Sequence, residues 1–335
     1  MRFVYPNIVD MAYASSAPLP LYAQEVDPNA YFDKVTQSAE IASAGCPRAV
    51  KSTLIEIEKD LEDDEESDDV RGMAKRLGIC TEGEQLPAYI KTKAILFEEF
   101  LFTVAANFAD FNMENYPPRP TNDLNRACHA IQNNQHLSAY DRIQAFWDVL
   151  QTSEHAEASE KGACFDLRTQ IPGGPRGTVT SADWTGGGDG KTGLSWDFQT
   201  CKDLVVQAGY GPKSMFPERP WTYKALTDHC QYRFGLDPTP TRLVDKWHFD
   251  DLVAHNASRI LFTNGLNDGW SVDSILESLS PDLVVINIPN GAHRSDLKAT
   301  TADTDEVRNS YPLIIQTLTR WLTEVKLRMH QADCE

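Results

Sequence analysis

Two apolar runs near the C-terminus organise this chain. Arg259-Ile-Leu-Phe-Thr263 and Leu283-Val-Val-Ile-Asn-Ile288 are short and carry β-branched residues, the pattern of strands rather than helices. Each ends in turn residues, Asn264-Gly-Leu-Asn-Asp268-Gly-Trp270 after the first and Asn290-Gly-Ala-His293-Arg-Ser-Asp296-Leu297 after the second. Residues 1 to 20 read as a strand that runs into the breaker Ala17-Pro18-Leu19-Pro20. Between these segments, from residue 28 to 165, the period turns helical. Ala88 to Asp110 carries Ile90, Ala94, Ile95, Phe97, Phe100, Leu101 and Val104 around much of its circumference, and Ala139 to Leu150 places Ile143, Phe146, Trp147 and Leu150 on one face. Residues 171–193 form a Gly-rich loop, and a short helix follows Trp221. The last helix, Asp305 to Met329, has Pro312 in its early part and sets Ile314, Leu318, Trp321, Leu322 and Val325 on a face suited to pack on a sheet. The order is that of a sheet domain, residues 1–20 and 236–335, interrupted by a mainly helical segment, 21–235.

Composition narrows the class. With 335 residues and 41% apolar side chains, the chain can bury one large or two moderate cores. Lys and Arg number 31 against 49 Asp and Glu, a formal charge of -18. That surplus argues against nucleic acid and anionic membrane as partners, because both need a positive footprint. It suits a protein whose surface carboxylates become partly neutral in an acidic compartment. No apolar run approaches the ~20 residues that span a bilayer, and the first residues lack a charged, apolar, small-residue leader pattern. The seven cysteines, Cys46, Cys80, Cys128, Cys164, Cys201, Cys230 and Cys334, show no C-x-x-C spacing. A zinc site is therefore not expected, and scattered thiols or long-range disulfides remain. Asn256-Ala-Ser258 is a glycosylation sequon on a turn.

The chemistry sits where the two runs end. A carboxylate, Asp268, and an imidazole, His293, each follow a strand, and open α/β sheets place their sites at the carboxyl ends of strands. Either residue alone is ordinary turn material. Together, acid before histidine, they take the order of the α/β-hydrolase triad, whose serine comes first in the chain. No G-x-S-x-G occurs in the 335 residues. Asp296 reads as support for the His293 loop. Two other segments are set aside. Glu56 to Asp69, with Glu62-Asp-Asp-Glu-Glu66 at its heart, reads as a solvated face. Gly186-Gly-Gly-Asp-Gly-Lys-Thr192 ends like a phosphate loop, but that motif needs glycine where Thr185 stands and no strand leads into it.

A wider set of segments falls in a familiar order. The opening Tyr5-Pro6 and Ala14-Ser-Ser-Ala-Pro18, then Ser195-Trp196-Asp-Phe-Gln199-Thr-Cys201, then Asp228-His-Cys230-Gln-Tyr-Arg-Phe234-Gly235, precede the Asp268 and His293 segments. From Met1 to Trp321 this series resembles the serine exopeptidase family of lysosomal Pro-X carboxypeptidase and dipeptidyl peptidase II. Gly269 departs from the family's usual proline, and Arg294 from its histidine or cysteine. The resemblance implies an α/β-hydrolase fold with its N-terminal strands missing from this chain, and a large helical insertion (cap) domain at 21–235. The Gly-x-Ser-x-Gly elbow would then fall roughly ten residues before Met1. It implies Asp268 and His293 as two members of the triad, and pairs Cys46 with Cys128, Cys80 with Cys164 and Cys201 with Cys230, leaving Cys334 over. Trp270, Trp196, Gln199 and Arg294 are candidates for the substrate pocket, the tryptophans as flat walls for a proline ring and Arg294 as partner of a terminal carboxylate. The implied substrate is a peptide with proline at or next to the scissile bond. The direction, carboxypeptidase or aminodipeptidase, stays open with a lean to the former. No cofactor or metal is expected, a homodimer is left open, and the implied location is lysosomal, vacuolar or secreted. Without its serine the chain by itself is expected to be inactive, since loss of the nucleophile costs on the order of a millionfold in turnover. A non-catalytic binding or decoy protein derived from that family is the alternative.

Overall fold

The structure, a computed structural model, describes residues 1–63, 69–83, 86, 90–152, 164, 165, 167 and 193–332. Residues 64–68 of the acidic run, 171–192 of the Gly-rich loop with its phosphate-loop-like end, and Cys334 lie outside them. In chain order the elements are β1 (Ala12–Ser15), α1 (Leu19–Tyr22), α2 (Ala30–Ala42), α3 (Cys46–Asp63), α4 (Val70–Arg76), α5 (Lys93–Met113), α6 (Asp123–Gln132) and α7 (Ala139–Gln151). Then come α8 (Gly193–Thr200), α9 (Tyr223–Phe234), α10 (Arg242–Trp247), β2 (Ile260–Gly265), a 3-10 turn (Gly269–Asp273), β3 (Leu283–Ile288) and α11 (Asp305–Ala332). They divide into two compact units. The first is Met1–Val26, Tyr116–Pro118 and Pro240–Glu335, and the second is Asp27–Asn115 and Arg119–Thr239.

The first unit is a mixed α/β body around a small parallel sheet in the order β1-β2-β3. Ala12 pairs with Ile260 and Ser15 with Thr263, while Ile260 pairs with Leu283 and Gly265 with Ile288. Parallel neighbours require a crossover, and the one between β1 and β2 runs through residues 16–259 of the sequence. β2 is buried at every position because it has a strand on each side and packing on both faces. One face collects Ile260, Phe262, Leu283 and Leu252. The other joins Leu261 and Ile286 to Ile314 and Trp321 of α11, with Leu318 packed alongside.

Two expectations change in detail. The Leu19-Pro20 stretch does not simply break the strand but opens α1, because proline fits the first helical turn, where no N–H is required. Pro312 stands in the early part of α11, as read, but past its first turn, so it removes an interior hydrogen bond without ending the helix. Leu322 points away from the core at 44% exposure while Trp321 is fully buried. Consecutive helical residues differ by about 100° in direction, so only one of the two can sit on the stripe that meets the sheet.

The second unit is mainly helical. Helices α2, α3, α5, α6 and α7 pack on one another around a ring-rich core. Phe108 stacks on Phe146 at 5.2 Å, Trp147 on Phe165 at 4.3 Å, and Phe216 meets Phe32 edge-on at 5.6 Å. The Trp147 Nε1–H donates to the Leu77 carbonyl at 2.8 Å, which lets the largest ring of α7 be buried without an orphaned donor. Ile95, one of the apolar residues spread around this helix, is 37% exposed in the first turn of α5. Disulfides join Cys46 to Cys128, Cys80 to Cys164 and Cys201 to Cys230. The first ties the start of α3 to α6, and the last ties the end of α8 to α9.

The contrast within α11 is testable. Trp321→Ala should cost about 3–5 kcal/mol of unfolding free energy, and it also leaves Asp282, which accepts from the Trp321 Nε1–H at 3.1 Å, without that donor. Leu322→Ala should fall within about 0.5 kcal/mol of the parent. Urea denaturation of both variants measures the difference.

Candidate active site

The site begins with two glycines. A Cβ built on Gly265, the last residue of β2, would collide with the Ala292 carbonyl oxygen and lie 2.6 Å from the Gly291 carbonyl carbon. One built on Gly291 would lie 3.0 Å from the Gly265 Cα. Lacking side chains, the two backbones touch, and the pairing of β2 and β3 continues past the sheet. The Leu266 N–H donates to Ile288 and the Asn267 N–H to Gly291, both at 2.9 Å. These bonds set the turn that carries the acid against the loop that carries the histidine.

Asp268 is 1% exposed and caps the 3-10 turn: its Oδ1 accepts from the Trp270 N–H at 3.1 Å. Its backbone carbonyl accepts the Ser271 hydroxyl at 2.7 Å. Its Oδ2 lies 2.8 Å from Nδ1 of His293. A carboxylate can only accept, so Nδ1 carries the proton in this bond and Nε2 is left as the basic nitrogen of the neutral ring. The imidazole is partly open, at 16% side-chain exposure.

The loop beyond His293 is bolted to the sheet. Asp296 is buried and accepts the hydroxyls of Tyr13 and Ser15 from β1 and of Thr263 from β2, the last two at 2.8 and 2.7 Å. Burial and the bond to Asp296 push the Tyr13 phenol well above its ordinary value, so it remains a donor. Ser16 takes a left-handed backbone, φ 51°, directly after β1, and its Oγ accepts from the Arg294 N–H at 3.1 Å. Arg294 itself has φ 55° and an exposed side chain.

Asp273, which the sequence reading did not single out, ends the same turn. It is 1% exposed, and neither carboxyl oxygen has a hydrogen-bond partner among the described residues. Burial first, and then the nearby charge of Asp268, push its carboxyl up to about 8. Nothing in Trp270-Ser-Val-Asp273-Ser announces this, because burial and missing donors are tertiary facts.

The other sequence candidates fall as follows. Trp270 is buried at 7% in the turn beside Asp268. Asn256 is exposed, with φ 56°, on the turn before β2. Trp196 and Gln199 belong to α8 of the second unit, where Trp196 is 40% exposed and Gln199 exposed. Among the described residues no cluster of His, Cys, Asp and Glu could hold a metal ion, and no helix is long and apolar enough to cross a membrane.

A buried acid hydrogen-bonded to a histidine, both delivered from the carboxyl ends of adjacent parallel strands, is an arrangement found in hydrolases of α/β type. The family model of serine carboxypeptidase S28 matches residues 1–314, and the chain belongs to that family. It is 22% identical over 341 residues to lysosomal Pro-X carboxypeptidase of Bos taurus, covering 99% of this chain and 62% of that protein. The same enzyme of Mus musculus is 24% identical, covering 96% and 61%. A Caenorhabditis elegans protein named prolyl carboxy peptidase like protein 5 is 23% identical, covering 96% and 62%. The chain thus spans 62% or less of the length of these relatives.

Two outcomes follow from this geometry. Gly265→Ala should cost about 1–3 kcal/mol through overpacking and, by moving residues 291–292, abolish the downfield proton resonance of the His293 Nδ1–H. Between pH ~4 and ~8 the folded chain holds a proton on Asp273 that the unfolded chain has lost. Stability should therefore be greatest at the acid end and fall by up to about 1.4 kcal/mol per pH unit toward 8. Asp273→Asn should flatten that dependence in denaturant titrations at successive pH values.

Proposed function

We propose that this chain carries the general base and the orienting acid of a serine-type exopeptidase that hydrolyses proline-containing peptides. The observation that carries this reading is the 2.8 Å bond between Asp268 and Nδ1 of His293, which leaves Nε2 as the basic nitrogen. In this mechanism Nε2 takes the proton of a serine hydroxyl as that oxygen attacks the scissile carbonyl, and returns it to the departing amine. Asp268 stays ionised, holds the imidazole in one tautomer and stabilises the cation that forms. Water then enters by the same base to release the acyl group. The serine, for which these 335 residues offer no Gly-x-Ser-x-Gly, would come from sequence outside them, on an elbow of an α/β-hydrolase sheet of which β1, β2 and β3 are part. The helical unit would be an insertion into that sheet domain.

The names of the relatives point to a carboxypeptidase acting after proline and to the lysosome. The exposed Arg294, next to the base, fits capture of a terminal carboxylate, and Trp270 offers an aromatic wall to a proline ring. The acidic charge and the proton held by Asp273 both suit work at low pH. The exposed Asn256 would be the glycosylated residue of the sequon.

The test uses the intact protein that contains this chain and a peptide ending in Pro-X. Asp268→Asn should lower kcat by about 10⁴ with little change in KM, and His293→Ala by on the order of 10⁶. Hydrolysis that survives both substitutions would exclude the pair from catalysis. Peptide binding without hydrolysis by the parent would favour a non-catalytic member of the family.

A further inference from the structure

The turn after β2 holds two acids with opposite surroundings. Each oxygen of Asp268 has a donor, the Trp270 N–H for one and the His293 ring for the other. Asp273, five residues on and equally buried, has none among the described residues. The hydroxyls beside it are committed elsewhere: Ser271 donates to the Asp268 carbonyl at 2.7 Å and Ser274 to the Trp270 carbonyl at 2.8 Å. The Asn264 amide is likewise spent on the Ile275 carbonyl and the Asn287 side chain. The helix packed against the turn, α1, contributes Tyr22 as its ionisable group. Among the described residues the charge that acts on Asp273 is that of Asp268, which is bonded in turn to His293; Asp250 and Asp251, on the turn that also packs against α1, are acidic, and Arg294 and Glu277 are exposed.

Two adjacent carboxyls in such unequal settings cannot both ionise at little cost. The one with donors keeps the charge and the one without keeps the proton. We propose that Asp273 is a positioning residue for the acid–base pair: as a neutral carboxylic acid it leaves Asp268 the sole charge of the turn, and its ionisation loosens the Asp268–His293 bond. The physical cause is repulsion. A second charge in the same buried turn pushes on Asp268, and a rotation of the Asp268 carboxyl away from it breaks the cap on Trp270 or the bond to His293. The pair is thereby confined to the acid and neutral range. The rise of the Asp273 carboxyl to about 8 is in keeping with this geometry.

The inference rests on the pairing of Asp268 with His293. Its test reads that bond rather than peptide hydrolysis, so failure of the exopeptidase reading leaves it standing. In the 335-residue chain with labelled histidine, the His293 Nδ1–H resonance should move or broaden with an inflection near the Asp273 value, and Asp273→Asn should abolish that inflection while keeping the resonance. Identical pH curves for the two proteins would overturn the proposal. Infrared difference spectra of the unmodified chain decide the matter even where the variant does not fold. At pH 7, where surface carboxyls are ionised, a carboxylic acid C=O band should remain and be lost by pH 10. A spectrum with no such band at pH 7 would show Asp273 already charged and end the idea.

Discussion

Backbone contact between Gly265 and Gly291 is the constraint on which the first unit's site depends. Parallel strands hold their neighbours about 4.8 Å apart, but the loops that leave them are free to splay. Here they do not, because a missing Cβ on each side lets the chains touch and exchange two further hydrogen bonds beyond the sheet. The carboxylate and the imidazole are consequently placed by main chain. Side-chain packing elsewhere, on the Leu261 and Ile286 face under α11 and on the Phe262 face opposite, holds the strands that present them.

Donor supply then divides the labour among buried acids of the same unit. Asp296 takes three hydroxyls from two strands and acts as an anchor. Asp268 takes one backbone N–H and one ring N–H, which fix its carboxylate against the histidine. Asp273 takes none among the described residues, and burial pushes its carboxyl up. One residue type does three things within 29 positions of chain because ionisation in a buried setting follows the hydrogen bonds available.

The helical unit solves a different problem. Its core is built from rings that meet edge-on or stacked, and disulfides with separations of 82, 84 and 29 residues close long loops across it. Crosslinks of such span stabilise mainly by restricting the unfolded chain, each by about 3–5 kcal/mol in the entropic account.

Much of this was legible in the sequence. The run Leu283–Ile288 emerges as β3 with those bounds, and Ile143, Phe146, Trp147 and Leu150 are buried as their spacing implied. Strand period, turn residues and motif order suffice for such features because they are local. The same locality misled where two neighbours competed for one stripe, so that Leu322 read as core and lies exposed. The candidate pair Asp268 and His293 could be named from order alone, but the bond between them exists only because Gly265 and Gly291 are brought into contact across 26 residues. Asp273 was invisible as a functional residue, and so was the role of Ser16, because burial and the absence or presence of a donor are properties of what surrounds a side chain. Sequence by itself determined the period of the longer segments and the turn residues that follow β2 and β3. Tertiary structure decided which acids are charged, since desolvation and hydrogen bonding act only once distant parts of the chain have closed around them.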